Sequence, residues 1–560
     1  MRYSSQEANE MLETTLQELS REYYQFVESF TKSDFEDEKI LGKFYTDLGI
    51  AKSMMDIINV HHLKENFLRE ISIIDPFCGD GRLVIELLNS LGKRYENNDH
   101  KYVISIWDID YTAVNEARNA IEDFCEKHRL SYKIDARVAD AFVEYAEMQE
   151  KFDICVTNPP WSLLKPQKLF NKSNTEDTLN EYRNAIEKYD EYMKKEFPLS
   201  QPSSKFGKWG TNLARCGTEI ALRLVKHDGV AGIVSPASLL NDQVSGRLRK
   251  WIFENHQVID ISYYPAELKL YGNADISSVT LVVKGGKTDQ KLSVKIYSER
   301  DYYKEEKIEK EVFEYIKSNV YSIPLQTGID AIPIMMYLDK LPTVLSYCNE
   351  SGLAFTREMD ETRFKEKLTQ TGRIEFAKGY MVDRYSFSGD SLYIDEDKVT
   401  IPASVLKNKI VWRDVSRDSQ LRRIKATLLK PGYMCGNSLG VIFGDFEHLD
   451  MMKMLLAIMN SLIFEYQARS TLVSNHVAAG IVKKIHVPRP KINRKIVTLV
   501  DRQLSGEDVE VEIEIAVAKL YGLSPNEYRL VLSRFDYPED IKNILAEKYA
   551  EIQNNGEIVI

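Results

Sequence analysis

Short apolar runs alternate with stretches of helical periodicity through the first half of the chain. Runs of about four to eight residues rich in β-branched side chains are typical of strands buried on both faces. We predict such strands near residues 71–75, 102–110, 133–139, 152–157, 230–234, 258–264 and 278–284. Helices are predicted over 84–88, 112–128, 211–226 and 238–253. This alternation predicts an α/β domain with a Rossmann-like doubly wound sheet.

A polar residue stands at the end of each of the first four strands: Asp75, Asp108, Asp140 and Asn158. The carboxyl ends of parallel strands meet at one edge of a sheet, where open α/β sheets bind their ligands. A glycine-rich turn follows the first strand and allows the backbone to approach a ligand closely. The turn is neither a GxGxxG motif nor a P-loop. An acid at the end of the second strand typically binds ribose hydroxyls, which favours Asp108 over Asp110.

The fourth strand ends at the corner Asn158-Pro159-Pro160-Trp161. Two prolines cannot continue a central strand, so the chain leaves the sheet there. The amide oxygen of Asn158 and the carbonyl of Pro159 can accept both hydrogens of an exocyclic amino group, and an aromatic ring beside them can stack on a base. The alternative for these four residues alone is an ordinary turn with a buried Trp161.

Two polar segments flank this region. Residues 1–40 hold ten acids and four bases, and residues 4–30 show amphipathic helical spacing. We interpret this helix as one that packs through an apolar stripe and exposes a charged face to solvent. Binding of a partner is the alternative. This segment shows no strand pattern that could hold a PD-(D/E)xK nuclease. Residues 162–210 read as a long insertion with a charged helix over 178–195, which we expect to order on substrate binding.

The second half of the chain changes in composition. Residues 291–345 are predicted as a connecting region, 346–495 as a separate domain, and 496–560 as an acidic helical cap. Residues 407–430 carry eight bases and two acids, and residues 483–495 carry six bases and no acid. Each run alone is more often a solvated face, but two in one domain, with interleaved aromatic residues, favour contact with DNA.

The length and composition of the chain are consistent with a protein of several domains. The 560 residues predict about two to four domains, and 28% charged with 43% hydrophobic residues are typical of a globular protein. A net charge of −11 means that a DNA-binding protein of this kind must concentrate its bases locally. The six cysteines form no CxxC pair, which favours reduced thiols in the cytoplasm and argues against a zinc site. No apolar run approaches about 20 residues, and no apolar signal core follows Met1.

The order of motifs resembles a known enzyme family. Phe44-Tyr45-Thr46, the turn from Asp75 to Gly81, then Asp108, Asp140 and the corner at 158–161 are similar to the gamma class of adenine-specific DNA N6-methyltransferases. The likeness is to TaqI-like enzymes of restriction–modification systems. It covers residues 40–290 well and extends more weakly over the C-terminal half.

That resemblance implies S-adenosylmethionine as the cofactor and a site for each part of it. The implied cofactor-binding residues are Phe44, Thr46, Asp75, Phe77, Gly79, Gly81, Asp108, Ile109, Asp140, Ala141 and Phe142. Thr46 and the turn would hold the methionine moiety, Asp108 the ribose, and Asp140 the adenine amino group, with Phe142 or its neighbours on the ring.

The resemblance also implies how the target base is held. Asn158 and Pro159 would take the N6 amino group, Pro160 would stiffen the corner, and Trp161 would stack on the base, a position where Tyr or Phe is commoner. Tyr271 is the candidate for the opposite face. The base must leave the duplex to be reached. Neither a metal nor a covalent intermediate is required.

The expected partner is double-stranded DNA, bound by a C-terminal α+β target-recognition domain. The candidate DNA-binding residues are Arg384, Arg413, Arg417, Arg422, Arg423, Lys483 and Lys484. We expect a monomer that does not bind membranes. A separate restriction endonuclease is the expected second partner.

Other functions stay open at this point. N4-cytosine methylation uses a similar corner, more often with Ser in place of Asn158. Protein-glutamine methyltransferases also carry Asn-Pro-Pro-aromatic, but they have no need of a long basic C-terminal domain. Cytosine C5 methylation is disfavoured because no Pro-Cys pair occurs. A silent DNA-binding subunit is disfavoured by the intact Asp75, Asp108 and Asn158.

Overall fold

The chain forms two compact units, residues 1–325 and 326–560. A computed structural model describes residues 17–21, 23–24, 45–62, 70–94, 100–165, 176–202, 210–271, 276–286, 292–325, 328–360, 368–390, 392–417, 420–472 and 475–554. Within this part of the chain, no helix has the length and apolar character needed to cross a membrane.

The first unit alternates strands and helices. Its strands are β1 (Glu70–Asp75), β2 (Lys101–Asp108), β3 (Ser131–Val138), β4 (Phe152–Thr157), β5 (Val225–Pro236), β6 (Gln257–Tyr264), β7 (Ser278–Lys284), β8 (Ser293–Glu299) and β9 (Tyr302–Lys307). Its helices are α1 (Leu48–His62), α2 (Arg82–Arg94), α3 (Tyr111–Lys127), α4 (Ala141–Glu144), α5 (Glu176–Glu196), α6 (Leu213–Leu224), α7 (Gly246–Asn255) and α8 (Lys310–Ser318). Residues 17–21 and 23–24, called here the N-terminal segment, are also helical.

These strands form one sheet in the order β3-β2-β1-β4-β5-β7-β6-β8-β9. Strands β1 to β5 run parallel, and β7 is antiparallel to both β5 and β6. Strands β2 and β3 lie to one side of β1, and β4 lies on its other side. The ends of β1 and β4 therefore open a crevice at this change in strand order. Every residue of β4 is buried, which explains why four of its six residues are apolar. The predicted doubly wound sheet is therefore present.

The core of this unit lies between the sheet and helices α1, α2 and α3. Helix α1 begins after Asp47, whose Oδ1 accepts a hydrogen bond from the amide of Gly49 at 2.9 Å. Asp110 caps α3 in the same way, with its Oδ1 2.9 Å from the amide nitrogen of Thr112. These side chains satisfy backbone donors that the first helical turn leaves unpaired.

One part of the first unit extends beyond the sequence-based prediction, and another agrees with it. Strands β8 and β9 continue the sheet beyond residue 290, so the start of the segment predicted as a connecting region belongs to the first unit. Strand β9 carries little apolar signal because its side chains are largely exposed on both faces of the sheet. The predicted helix within the insertion is present as α5.

The second unit mixes small sheets with helices. Its strands are β10 (Ala354–Thr356), β11 (Leu368–Thr369), β12 (Glu375–Ala377), β13 (Val382–Asp383), β14 (Ser386–Phe387), β15 (Leu392–Ile394), β16 (Asn408–Arg413), β17 (Ala426–Leu429), β18 (Tyr433–Cys435) and β19 (Leu439–Gly444). Its helices are α9 (Ile332–Leu338), α10 (Val344–Glu350), α11 (Leu449–Met459), α12 (Leu462–Thr471), α13 (Ala479–Val482), α14 (Arg494–Leu504), α15 (Glu510–Tyr521), α16 (Pro525–Ser533) and α17 (Glu539–Asn554).

The strands of the second unit pair as β10-β19-β16-β17, as β11-β15-β12-β18, and as the hairpin β13-β14. Helices α11 and α12 share one core with α14 to α17. The C-terminal helices are thus integral to the second unit, whereas the sequence suggested a cap packed onto it. Their apolar faces were visible in the sequence, but the surface that they cover is set by tertiary packing.

Candidate active site

The polar residues that end β1, β2, β3 and β4 line a single cleft. Its volume is about 960 Å³, including the part that is open to solvent. The sequence-predicted residues on its wall are Thr46, Asp75, Phe77, Gly79, Asp108, Ile109, Asp140, Ala141, Phe142, Asn158 and Pro160. Gly81, Pro159, Trp161 and Tyr271 lie behind or beside this wall, and Phe44 is outside the described residues. Most of the predicted set is therefore brought together by the sheet edge.

The glycine-rich turn holds the second strand-end acid in place. Gly79 and Gly81 have φ angles of +50° and +78°, a region that other residues rarely adopt. A Cβ on Gly81 would lie 3.1 Å from Ala117 in α3, so the turn packs tightly against that helix. The amide of Gly79 donates to Asp108 Oδ2 at 3.0 Å. The amide of Asp110 donates to Asp108 Oδ1 at 3.0 Å, so backbone groups orient both oxygens of Asp108.

Asp75 is the most buried carboxylate of the cleft, with 1% of its surface exposed. Its Oδ1 accepts hydrogen bonds from the amide of Phe77 at 3.1 Å and from Thr157 Oγ1 at 2.9 Å. No group in the described part of the chain donates to its Oδ2. Burial raises the pKa of Asp75 to about 7. A cation in the cleft would offset this penalty, since an opposite charge stabilises the ionised carboxylate.

Asn158 is tied to the start of α1. Its Nδ2 donates to Thr46 Oγ1 at 3.1 Å. The carbonyl of Thr46 accepts a hydrogen bond from Arg82 Nη1 at 2.9 Å. Arg82 also pairs with Asp80 at 2.6 Å and lies 4.9 Å above the ring of Tyr45. Arg82 therefore connects the turn after β1 with the segment that holds the amide of Asn158.

Asp80, Arg82 and Tyr45 belong to the site although the sequence did not predict them there. A charged pair within the turn is common on protein surfaces, so the local pattern gave no reason to choose it. Its role depends on the placement of Thr46 next to the turn, 36 residues away along the chain. Only the packing of α1 against the sheet provides that placement.

Helix α6 determines where the Pro159 corner lies. A Cβ built on Gly217 would come within 2.4 Å of Pro159 Cβ and 3.1 Å of Phe77 Cε2. These separations are shorter than ordinary carbon contacts, so the absence of a side chain at Gly217 lets the helix backbone approach the corner. Gly217 is a further site residue that could not be predicted from the sequence, because nothing in its neighbourhood marks it as different from any helical glycine.

Trp161 and Tyr271 are brought together as predicted partners, but their arrangement differs from the prediction. Their ring centroids are 4.7 Å apart and the ring planes meet at 64°. The Tyr271 hydroxyl donates to Ser278 Oγ at 3.0 Å. A flat base between two parallel rings needs about 7 Å, twice an ordinary carbon contact. The two rings therefore contact each other edge to face, and a base can lie between them only if they separate.

Asp140 makes contacts that the sequence analysis did not predict. Its Oδ1 accepts from the amide of Phe142 at 2.9 Å. Its Oδ2 accepts from Ser20 Oγ at 2.7 Å and from the hydroxyl of Tyr189 at 2.5 Å. Burial raises the pKa of Asp140, and these three donors oppose that rise. The acid predicted for the adenine amino group is thus held by the N-terminal segment and by α5 as well.

In the second unit, two of the candidate DNA-binding residues are buried. Arg422 is 6% exposed and Arg423 is 1% exposed. Arg422 donates to the carbonyl of Asn460 and lies 3.8 Å from Glu465. Arg423 donates to the carbonyl of Ser416 at 3.2 Å. This corrects the expectation for both residues, because a guanidinium enclosed in the core cannot reach a phosphate.

The remaining candidates divide by exposure. Arg413 donates to the carbonyls of Gly379 at 3.0 Å and Val382 at 2.8 Å, and it thereby holds the strand β13. Arg384 pairs with Glu510 at 2.9 Å, and Lys483 lies 4.8 Å above the ring of Phe355. Arg417 and Lys484 are exposed. A basic run in the sequence does not show which of its residues are buried. In the structure, only some of the bases in these runs are exposed and can contact a ligand.

Comparisons with known proteins give one family and several distant structures. The profile of the family described as N-6 DNA methylase matches residues 16–320. A Type II methyltransferase, M.VspI from Vibrio sp. (strain 343), is 28% identical over 138 residues, which are 25% of this chain and 29% of that protein. The chain thus covers less than a third of this curated relative.

Among solved structures, the type IIG restriction endonuclease BpuSI matches with a TM-score of 0.41 and 13% identity, over 91% of this chain and 65% of that one. A DrdV–DNA complex matches with a TM-score of 0.49 and 12% identity, over 89% and 60%. The chain spans less than two thirds of each of these two structures.

Proposed function

The chain belongs to the N-6 DNA methylase family, and we propose that it transfers a methyl group from S-adenosylmethionine to the N6 amino group of adenine in double-stranded DNA. The observation that carries this proposal is the cleft in which three strand-end acids share one wall with Asn158 and Pro160. We further propose a gamma-class, TaqI-like enzyme that modifies DNA in a restriction–modification system, with a separate restriction endonuclease as partner.

The cleft fits this cofactor in three places. Asp75 Oδ2 is a buried acceptor that no group in the described chain satisfies, as expected of the partner of an ammonium group. Asp108 presents a carboxylate oriented by two backbone amides, suited to ribose hydroxyls. Phe142, Ile109 and Asp140, which line the same cleft, are the proposed contacts of the purine. When bound, the cofactor supplies an electrophilic sulfonium methyl group.

Asn158 and Pro159 prepare the nucleophile. The lone pair of the adenine amino nitrogen is delocalised into the ring, so the nitrogen is a poor nucleophile. Asn158 Oδ1 and the Pro159 carbonyl accept its two hydrogens and draw the nitrogen toward a pyramidal geometry. Thr46 accepts from Asn158 Nδ2, which directs Oδ1 toward the base. The product proton leaves to water, and positioning supplies much of the rate acceleration.

Trp161 and Tyr271 are the proposed receiving site for the base once it has left the duplex. Because their rings are in edge-to-face contact, the base must displace one of them or stack on the outer face of Trp161 alone. The half-buried Trp161 follows the corner directly, so the stack and the two acceptors come from one rigid segment.

Residues 346–495 of the second unit are the proposed target-recognition domain. It is an α+β unit that presents Arg417 and Lys484 to solvent. Exposed bases of this kind can neutralise phosphates and fix the register of a duplex. The site that the enzyme recognises depends on the side chains that reach base edges.

Substitution of Asn158 by Ala tests the proposed function. We expect methyl transfer from tritiated cofactor to genomic DNA from cells that lack this enzyme to be lost, while calorimetric binding of S-adenosylhomocysteine stays within about threefold of wild type. Asn255→Ala is the matched control, because Asn255 is an exposed asparagine at the end of α7. Full activity of Asn158→Ala would refute the assignment. Mass spectrometry of the digested DNA distinguishes N6-methyladenine from N4-methylcytosine, and the latter product would favour the cytosine alternative.

A further inference from the structure

The N-terminal segment contacts the cleft through a residue that the family resemblance assigns to the cofactor. Ser20, which is 5% exposed, donates its hydroxyl to Asp140 Oδ2. Tyr189 of α5 donates to the same oxygen. The two donors come from positions 120 and 49 residues away along the chain. One carboxylate oxygen therefore joins β3, the N-terminal segment and the insertion.

Aromatic packing accompanies these hydrogen bonds. The ring of Tyr23 stacks on the ring of Tyr189, with centroids 5.1 Å apart and an angle of 13° between the planes. Tyr24 meets Tyr23 edge to face at 4.9 Å. Both tyrosines lie on the wall of the cleft, at the end formed by Asp140 and Phe142. The N-terminal segment thus supplies aromatic surface to the cleft itself.

We propose that the N-terminal segment, supported by α5 through Tyr189, forms a cover over the purine end of the cofactor cleft, so that binding of the cofactor and docking of the segment stabilise each other. This inference rests on the proposed function. It gives a role to the two parts of the chain that the sequence analysis treated as an acidic packing helix and a substrate-ordered insertion.

The chemistry of Asp140 supports the coupling. A carboxylate offers about four acceptor positions, and three are taken by Phe142, Ser20 and Tyr189. One position on Oδ1 remains for an exocyclic amino group. Loss of Ser20 or Tyr189 would leave the carboxylate less satisfied and free to turn away. A ligand that prefers the docked arrangement must, in return, raise the population of that arrangement.

The cover can be tested on the full-length protein with S-adenosylhomocysteine as the probe. Hydrogen–deuterium exchange of peptides that span residues 17–24 is measured with and without the probe, and the dissociation constant is measured by calorimetry. We expect the probe to slow exchange there at least about tenfold, and Ser20→Ala and Tyr189→Phe each to raise the dissociation constant about tenfold.

Tyr145→Phe is the matched control. Its hydroxyl donates to Glu196 Oε1 at 2.5 Å, so it anchors the same helix α5 through Glu196 and not through Asp140. We expect the dissociation constant of this variant to stay near that of the wild type. Equal losses in Tyr145→Phe and Tyr189→Phe would mean that α5 acts only as a structural support, and the cover would be refuted.

The wild-type exchange experiment is independent of how well any variant folds. Binding of the probe with unchanged exchange at residues 17–24 would overturn the cover and leave the proposed function intact. Failure of the wild type to bind the probe at all would overturn both. Slower exchange that is lost in Ser20→Ala, with the global unfolding temperature unchanged, would support the cover.

Discussion

The approach of α6 to the Pro159 corner leads to a sharp prediction for Gly217→Ala. The added methyl group would lie 2.4 Å from Pro159 Cβ, 2.7 Å from Pro159 Cγ and 3.1 Å from Phe77 Cε2. The proline ring cannot rotate away, and its neighbour Asn158 carries the proposed acceptor. The substitution therefore acts on the corner from behind, without removing any group from the cleft.

The size of the effect follows from these distances. Carbon atoms that are not bonded to each other rest about 3.5–4.0 Å apart, so the corner or the helix must move by about 1 Å. Overpacking of this kind costs about 1–3 kcal/mol, and the better helix propensity of Ala offsets up to about 1 kcal/mol of it. A misplacement of about 1 Å in a positioning group lowers the rate about 100-fold.

We therefore expect Gly217→Ala to lower kcat for methyl transfer about 100-fold, with a net loss of about 1–2 kcal/mol in the free energy of unfolding. The measurements are single-turnover transfer at saturating cofactor and DNA, and denaturant unfolding. Gly92→Ala in α2 is the matched control, since a Cβ at Gly92 meets nothing within 4 Å. That variant should keep full activity and gain about 0.5–1 kcal/mol in stability. Wild-type kcat in Gly217→Ala would show that the corner tolerates displacement and would refute the reasoning.

Three further predictions follow from the site and from the second unit. Thr46→Val should lower kcat at saturating cofactor at least about tenfold, in addition to any effect on cofactor binding, because it removes the acceptor for Asn158 Nδ2. Thr46→Ser should restore kcat. A loss confined to cofactor binding would contradict this role. The carboxyl group of Asp75 has a pKa of about 7 in the folded protein. Binding of a cationic ligand at pH 6.5 should therefore release a proton from Asp75, and the affinity for that ligand should rise as the pH rises from about 6 to 8. Calorimetry in buffers of different ionisation enthalpy measures the number of protons released on binding. For Asp75→Asn that number should be zero. Lys484→Ala should reduce the slope of the logarithm of the DNA association constant against the logarithm of salt concentration by about 0.9. Arg423→Ala should instead lower the free energy of unfolding by about 2–5 kcal/mol, because a buried side chain is lost. An unchanged slope for Lys484→Ala would remove Lys484 from the proposed DNA surface.

Much of the first unit could be predicted because its signals are local. Buried parallel strands read as unbroken apolar runs, and turn-forming residues mark where they end. Asp75, Asp108 and Asn158 stand at those ends, so their convergence follows from the topology of the sheet. The charged helix of the insertion was also visible, since its length and composition exclude a strand.

What could not be predicted depends on contacts between distant segments. The basic runs of the second unit show how many bases are present, but Arg423 lies in the core and Lys484 on the surface. The difference comes from which carbonyls and carboxylates fold against each side chain. The contact between Trp161 and Tyr271 likewise depends on the path of the loop after β6.

The sequence by itself therefore determined the sheet, the order of its strand-end residues and the proline corner, because each is encoded within a few neighbouring residues. The tertiary structure alone decided what surrounds them: Arg82 beside Thr46, Gly217 behind Pro159, and the N-terminal segment on Asp140. These contacts join residues that lie tens to more than a hundred positions apart, and each exists only because the packed core brings their backbones together.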